Sequence, residues 1–121
     1  MLEFINFDFK FLLKSGSNSK DLIAVIGPGI SQKNYEIQKE FKDKFLKKDK
    51  QNKIFFKLIK NKTYFSLNKY IYSQLKKLGI KNLEKINKDT FEPKNNFFSA
   101  RRSIHNKEND YGRNISIIMI N

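Results

Sequence analysis

Arginine is scarce in this chain and gathered near its end. Only three of 25 basic residues, Arg101, Arg102 and Arg113, are arginine, and the rest are lysine. A guanidinium is a flat, permanently charged fork that grips a phosphate or carboxylate through two parallel hydrogen bonds, which a lysine ammonium cannot do. Three arginines kept in one stretch of a lysine-dominated chain are therefore the leading anion-binding candidates. Ser99 sets a hydroxyl beside them and joins the candidate set for substrate or phosphate contact. It lacks a G-x-S-x-G elbow, and a single histidine, His105, six residues further on does not make a triad. The structural alternatives are plain: Ser99 hydrogen-bonded at a strand end, His105 in a surface loop, and an arginine bridging loops to Asp89, Glu92 or Asp110. Tyr111, beside Gly112, either stacks on a base or packs.

Gly27-Pro28-Gly29 is the other feature near which chemistry could occur. It lacks the Lys-Ser/Thr of a P-loop and the G-x-G-x-x-G spacing, so a tight turn admitting close approach of another group is the better reading. No metal-ligand set is assigned. Zinc or copper takes three or four convergent nitrogen, sulfur or oxygen donors, and the chain offers one histidine and no cysteine.

The elements that must carry these residues follow from periodicity. Residues 2–13 fit either an alternating strand or a helix, and Gly16 suits a helix C-terminus. Residues 22–26 are a continuous apolar run, the pattern of a strand buried on both faces. Asn34 can cap a helix presenting Ile37, Phe41 and Phe45 on one face. A charged turn over 47–53, extended pieces at 54–59 and 62–65, and a helix capped by Ser66 follow. That helix has Leu67, Tyr70, Ile71, Leu75 and Leu78 as its apolar stripe and Gly79 as its end. Short strands are expected at 83–86 and 115–120, with polar loops at 94–96 and 105–110. Strands alternating with helices at this spacing imply an α/β domain of mixed α+β layers.

Composition narrows the classes. The chain has 121 residues, 39% of them apolar and twelve of them phenylalanine, enough for one core. The longest apolar runs fall far short of the roughly 20 residues that a bilayer requires. No signal peptide is evident, and a cytoplasmic location is the default expectation. The net charge of +13 is the footprint of a nucleic-acid binder. Lysine, asparagine, isoleucine and phenylalanine are abundant together, however, as strong AT bias in the coding DNA produces, and the lysines are scattered. A small basic nucleic-acid-binding protein is therefore the alternative reading.

The order Ile26-Gly27-Pro28-Gly29-Ile30, Tyr35-Glu36-Ile37, Phe98-Ser99-Ala100-Arg101-Arg102 and Gly112-Arg113 resembles the C-terminal half of the multicopper polyphenol oxidase (laccase-domain, YfiH-type) family. Residues 12–30, LLKSGSNSKDLIAVIGPGI, look like its helix, Gly-Ser turn and strand ending in I-G-P-C-I. Residues 64–79 look like a further strand and its long amphipathic helix. Two cysteine positions of the family pattern are occupied by Gly29 and Asp89. The resemblance implies a purine nucleoside phosphorylase acting on adenosine, inosine or guanosine with phosphate. In it, an anion is held beside the glycosidic carbon near Arg101, Arg102, Arg113 and Ser99, with Gly27, Pro28 and Gly29 bordering the site. It also implies zinc or copper bound by two histidines and a cysteine of an N-terminal half that this sequence does not match. The expectation is then a single partial domain, residues 1–121, of a YfiH-like α-β-β-α fold. Such a chain is the product of a split or decayed gene, inactive alone, and pairs with a separately encoded N-terminal half or with itself.

Overall fold

The computed structural model describes residues 13–119. The expected first helix falls largely on residues 2–12, outside the described residues. Leu13 and Lys14 are helical, and Gly16 turns the chain with a φ of 94° while its N–H donates to the Leu13 carbonyl at 3.1 Å.

Two small sheets organise the rest. Strand β1 (Ile23–Ile26) pairs in parallel with β5 (Asn82–Lys85), with Ile23 opposite Asn82 and Ile26 opposite Lys85. Strands β2 (Glu36–Ile37), β4 (Lys62–Phe65) and β3 (Phe56–Ile59) form an antiparallel sheet in the order β2-β4-β3. Helix α1 (Lys39–Lys48) follows β2, and α2 (Leu67–Lys77) joins β4 to β5. A six-residue helix, α3 (Ala100–His105), carries the double arginine. Parallel and antiparallel pairs with interspersed helices are the mixed α/β class expected from the sequence.

The core is aromatic. Phe65 is fully buried at 0% exposure. Around it stand Phe41 (ring centroids 5.1 Å apart), Phe45 (5.0 Å), Phe56 (5.0 Å), Tyr35 (5.9 Å) and Tyr70 (5.9 Å). The mostly tilted and edge-on geometries suit rings whose faces are negative and edges positive. Phe41 and Phe45 come from one face of α1, Tyr70 from α2, and Phe56 and Phe65 from facing positions of β3 and β4. The core thus lies where two helices cover the antiparallel sheet. Asn52 is buried with them, its amide donating to the Phe45 carbonyl at 2.9 Å.

Several expected boundaries move, each for a local reason. Asn34 does not cap a helix; it ends a short 3-10 turn, Gln32–Asn34, and Ile37 lies on a strand. The Phe65 N–H donates to the Tyr35 carbonyl at 3.0 Å, drawing the chain onto β4 before α1 begins at Lys39. The charged turn over 47–53 is helix to Lys48 and then a 3-10 helix, Lys50–Phe55, capped by the Asp49 carboxylate. Extension therefore starts at Phe56, two residues later than expected. Ser66 occupies the N-cap position of α2, although its hydroxyl makes no capping bond. Gly79 ends α2 with a φ of 85°. The 94–96 loop contains a 3-10 turn, Pro93–Asn95, and the 105–110 loop starts one residue later because α3 includes His105.

Two corrections are larger. Strand β1 is not buried on both faces: Ile26 is buried, but Ile23 is 73% and Val25 55% exposed. Residues 115–119 form no strand, and Ile118 is 92% exposed; residue 120 lies outside the described set.

Candidate functional site

Helix α3 exists because Ser99 stops the extended chain before it. Ser99 is buried and sits in extended geometry at the N-cap, where its hydroxyl accepts the Arg102 N–H at 3.2 Å. A serine there satisfies one of the amides that a helix start leaves without a partner. Its role in the fold is thus helix capping rather than the strand-end bonding considered from sequence.

The cap fixes the two arginines in different tasks. The Arg102 guanidinium donates to three main-chain carbonyls, those of Thr90 (2.9 Å), Phe91 (3.0 Å) and Phe97 (2.7 Å). It joins α3 to the loop that precedes it, and most of its donors are committed. Arg101 is tethered differently. One N–H donates to the Glu36 carbonyl at 2.8 Å, and the guanidinium lies 5.3 Å from the centroid of the Tyr35 ring. Tyr35 is itself packed on the Phe65 core, so Arg101 is anchored to the rigid part of the molecule. A guanidinium carries five N–H donors; beyond the bond to Glu36, those of Arg101 meet no acceptor among the described residues.

Arg113 is exposed and lies outside any regular element. It stacks 4.0 Å over the Tyr111 ring, donates to the Tyr111 carbonyl, and is 3.9 Å from the Asp110 carboxylate. Tyr111 thus packs locally, as one of its two expected readings had it. The loop is brought to α3 by residues that sequence reasoning passed over. The Asn114 side chain accepts the Phe98 N–H at 2.9 Å and donates to the Phe98 carbonyl at 2.8 Å. Gly112 lies against the Phe98 ring, so closely that a Cβ at that position would overlap it. The stretch around Gly112-Arg113 is therefore docked onto the residue immediately before Ser99.

Gly27-Pro28-Gly29 is an extension of the parallel sheet rather than a tight turn. Gly29 bridges Asp89 in parallel, its N–H donating to Lys88 at 3.2 Å and its carbonyl accepting from Thr90 at 3.1 Å. Asn68, near the start of α2, approaches to 3.2 Å from where a Cβ on Gly29 would stand. The close approach expected of this segment is real, and it comes from the protein itself.

Asp89 links the two motifs. Its carboxylate accepts from the Ser31 amide (3.2 Å), the Ser31 hydroxyl, the Asn34 amide (2.8 Å) and the Phe91 amide (2.9 Å). Partial burial pushes its carboxyl up, but hydrogen bonds from Ser31, Phe91 and Asn34 outweigh that and hold it below the ordinary range. Glu92 extends the network, paired with Lys33 at 2.7 Å and contacted by Asn34. A continuous set of bonds therefore runs from Gly29 through Asp89 and Thr90 to Arg102. The signal was in the sequence: Asp89 was noticed as a departure from a family pattern, but its partners, Ser31 and Asn34, come from a distant segment.

An open groove of about 400 Å³ is lined by Glu36, whose carbonyl accepts from Arg101, and by Lys39, Lys42 and Lys62 among others. Two of its lysines are paired, Lys62 with Glu36 at 3.1 Å and Lys39 with Asp43 at 3.2 Å. His105 is exposed at the end of α3, its ring edge-on to Phe91 at 5.4 Å. Among the described residues, no three of His, Cys, Asp or Glu converge to hold a metal ion. The described residues therefore do not fit zinc or copper. Among the described residues no helix is long and apolar enough to cross a membrane.

Similarity to known proteins gives the family. The chain is 40% identical over 99 residues to a purine nucleoside phosphorylase of Rickettsia conorii, covering 80% of this chain and 41% of that protein. It is 38% identical over 89 residues to a purine nucleoside phosphorylase of Rickettsia prowazekii, covering 72% of this chain and 37% of that protein. The chain thus spans about two fifths of the length of the curated relatives it matches. The family described as multi-copper polyphenol oxidoreductase laccase matches residues 10–121. The motif-bearing segments, the mixed α/β fold and these matches together place the chain in that laccase-like, YfiH-type family.

Proposed function

We propose that this chain is one part of a purine nucleoside phosphorylase, completed by polypeptide that corresponds to the remainder of its relatives. The observation that carries the reading is the 40% identity, over 80% of this chain, to a protein of that name. In phosphorolysis the bond from C1′ of the ribose to the purine breaks, and its electron pair leaves with the base. A phosphate oxygen forms the new bond to C1′, giving ribose 1-phosphate and the free purine. An anion held in place beside an electron-poor sugar carbon lowers the barrier by position and by charge. Adenosine, inosine and guanosine are the substrates considered.

Arg101 is the residue we assign to the phosphate. It is held by Tyr35 and Glu36, and its remaining donors meet no acceptor among the described residues, as an anion site requires. Arg102 and Ser99 act as positioning residues, since their polar groups maintain α3 and its loop. Arg113, on the loop docked to Phe98, supplies a second cation, and Gly27, Pro28 and Gly29 border the site. The zinc or copper that the family resemblance implies would be held by ligands outside this chain. The cytoplasm is the proposed location.

The test is co-production with the portion of the Rickettsia conorii phosphorylase that the match leaves out. Purine release from adenosine and inosine is then followed with and without phosphate. Phosphate-dependent release by the pair, and by neither piece alone, is expected. Release that is equal without this chain refutes the proposal. An Arg101→Ala pair that keeps wild-type kcat/KM refutes the phosphate assignment.

A further inference from the structure

The β1–β5 pair is unfinished as a piece of sheet. Its inner face carries Ala24, Ile26 and Leu83, and α2 contacts both strands. Its outer face carries Ile23 and Val25, 73% and 55% exposed, next to Asn82 and Glu84. Parallel strands occur almost only where both faces are covered, and two strands alone are marginal in water. Among the described residues neither outer edge of the pair is matched by a further strand, and such edges are templates for more strands. In the last described stretch, Ile115, Ile117, Ile118 and Met119 are all exposed. An apolar outer face beside open parallel edges calls for protein, since a polyanion would meet no cation on Ile23 or Val25.

What covers it is indicated by length. The matched residues are 41% of the Rickettsia conorii relative, so that protein carries more than half its chain beyond the part aligned here. Proteins of this identity share one fold, and in the relative the equivalent of β1–β5 lies in the same molecule as that additional chain. We propose that the outer face of β1–β5, centred on Ile23 and Val25, is the docking surface for the polypeptide corresponding to that additional chain. This rests on the two-part enzyme proposed above and specifies where its parts meet. Docking extends the parallel pair with further strands and closes the apolar face against water.

The test uses the whole chain and the unmatched portion of the Rickettsia conorii phosphorylase as a separate, tagged polypeptide. Wild type, Ile23→Lys/Val25→Lys, and a control with Lys44→Glu on the exposed side of α1 are compared by capture and by purine release. Both changed positions in the double variant are already solvent-facing, so the isolated chain is expected to melt within a few degrees of wild type. Two lysines in a desolvated apolar contact should weaken capture by about a hundredfold or more, with purine release falling in parallel, while the control binds normally. Hydrogen exchange on the wild-type pair gives a second readout: amides of β1 and β5 gain protection on mixing. Wild-type capture and activity with an unaffected double variant and unchanged exchange overturn the docking surface and leave the two-part enzyme standing. Failure of the wild-type pair to associate or release purine overturns both. Should the double variant melt far below wild type, the exchange measurement decides, and no gain of protection at β1 and β5 overturns the surface.

Discussion

Replacing Arg102 separates a positioning role from a direct one, and the expected size follows from its bonds. The guanidinium donates to three carbonyls at 2.7 to 3.0 Å, from Phe97, Thr90 and Phe91. A hydrogen bond to a charged group contributes about 1.5–3 kcal/mol when well enclosed. Arg102 is half-buried, and water can replace part of each bond, so about 1 kcal/mol apiece is the appropriate figure. Arg102→Ala should then cost about 3 kcal/mol. Arg102→Lys retains the charge but reaches one carbonyl at a time, which puts its cost at about 2 kcal/mol. At about 2 cal/mol/K of unfolding entropy per residue, each kcal/mol lowers the melting temperature of a chain this size by about 4 °C. Losses of about 12 °C and 8 °C are expected. Arg101→Ala removes one such bond and a cation–π contact, for about 1–1.5 kcal/mol and 5 °C. Arg113→Ala removes an exposed stack, a 3.9 Å ion pair and a solvent-exposed hydrogen bond to the Tyr111 carbonyl two residues away, and should shift the melt by no more than about 2 °C. Calorimetry on the four variants and wild type at one pH and salt concentration gives the order directly. The reasoning fails if Arg102→Lys melts with wild type, or if Arg113→Ala is the most destabilising of the set. The kinetic order should differ from the thermal one: in the reconstituted enzyme, Arg101→Ala loses the most kcat/KM for phosphate while being thermally milder than Arg102→Ala.

Two further perturbations probe the connections around α3. The Asp89 carboxyl is held low by donors that bond its charged form, so its stabilising effect is complete above the ordinary carboxylate value of about 4 and is lost as pH falls through the lower folded value. Melting temperatures of wild type and Asp89→Asn from pH 3 to pH 7 should therefore lie apart above pH 5 and converge at the acid end; a constant gap contradicts the assignment. At Gly112 an alanine Cβ would overlap the Phe98 ring, which is partly exposed and can swing away. Gly112→Ala should cost only about 1 kcal/mol, by comparison with other overpacking changes, yet expose the Phe98 amide by displacing Asn114, read as lost hydrogen-exchange protection at Phe98.

The parts of the fold legible in the sequence are those whose signal is local. The α2 helix shows its apolar stripe, and Gly79 stops it through a φ only glycine adopts easily. Strand β4 lies between turn residues at Lys60 and Asn61, both at positive φ, and the Ser66 start of α2. The misplaced start of α1 has the opposite cause. Ile37, Phe41 and Phe45 do share one core, but Ile37 reaches it from a strand fixed by β4, a pairing between segments far apart in sequence. The candidate site divides similarly. The contrast between three arginines and many lysines draws attention to Arg101 and Arg102, which the structure places on α3. Which arginine retains free donors depends on the carbonyls of Thr90, Phe91, Phe97 and Glu36, and backbone carbonyls carry no side-chain signature.

The expectation that β1 would be buried on both faces and that residues 115–120 would form a strand rests on the same apolar pattern, and the two failures have one explanation. An apolar run records the surroundings in which the chain was selected, whereas exposure in a single 121-residue chain records only what that chain itself can cover. Ile26, beneath α2, is buried because its cover lies within this chain; Ile23 and Val25, three and one residues before it on the opposite face, are not. Continuous hydrophobicity on both faces of a parallel strand with cover on only one is a mismatch between sequence and structure that more polypeptide would remove. The relatives, more than half of whose length lies outside the match, have that polypeptide to provide.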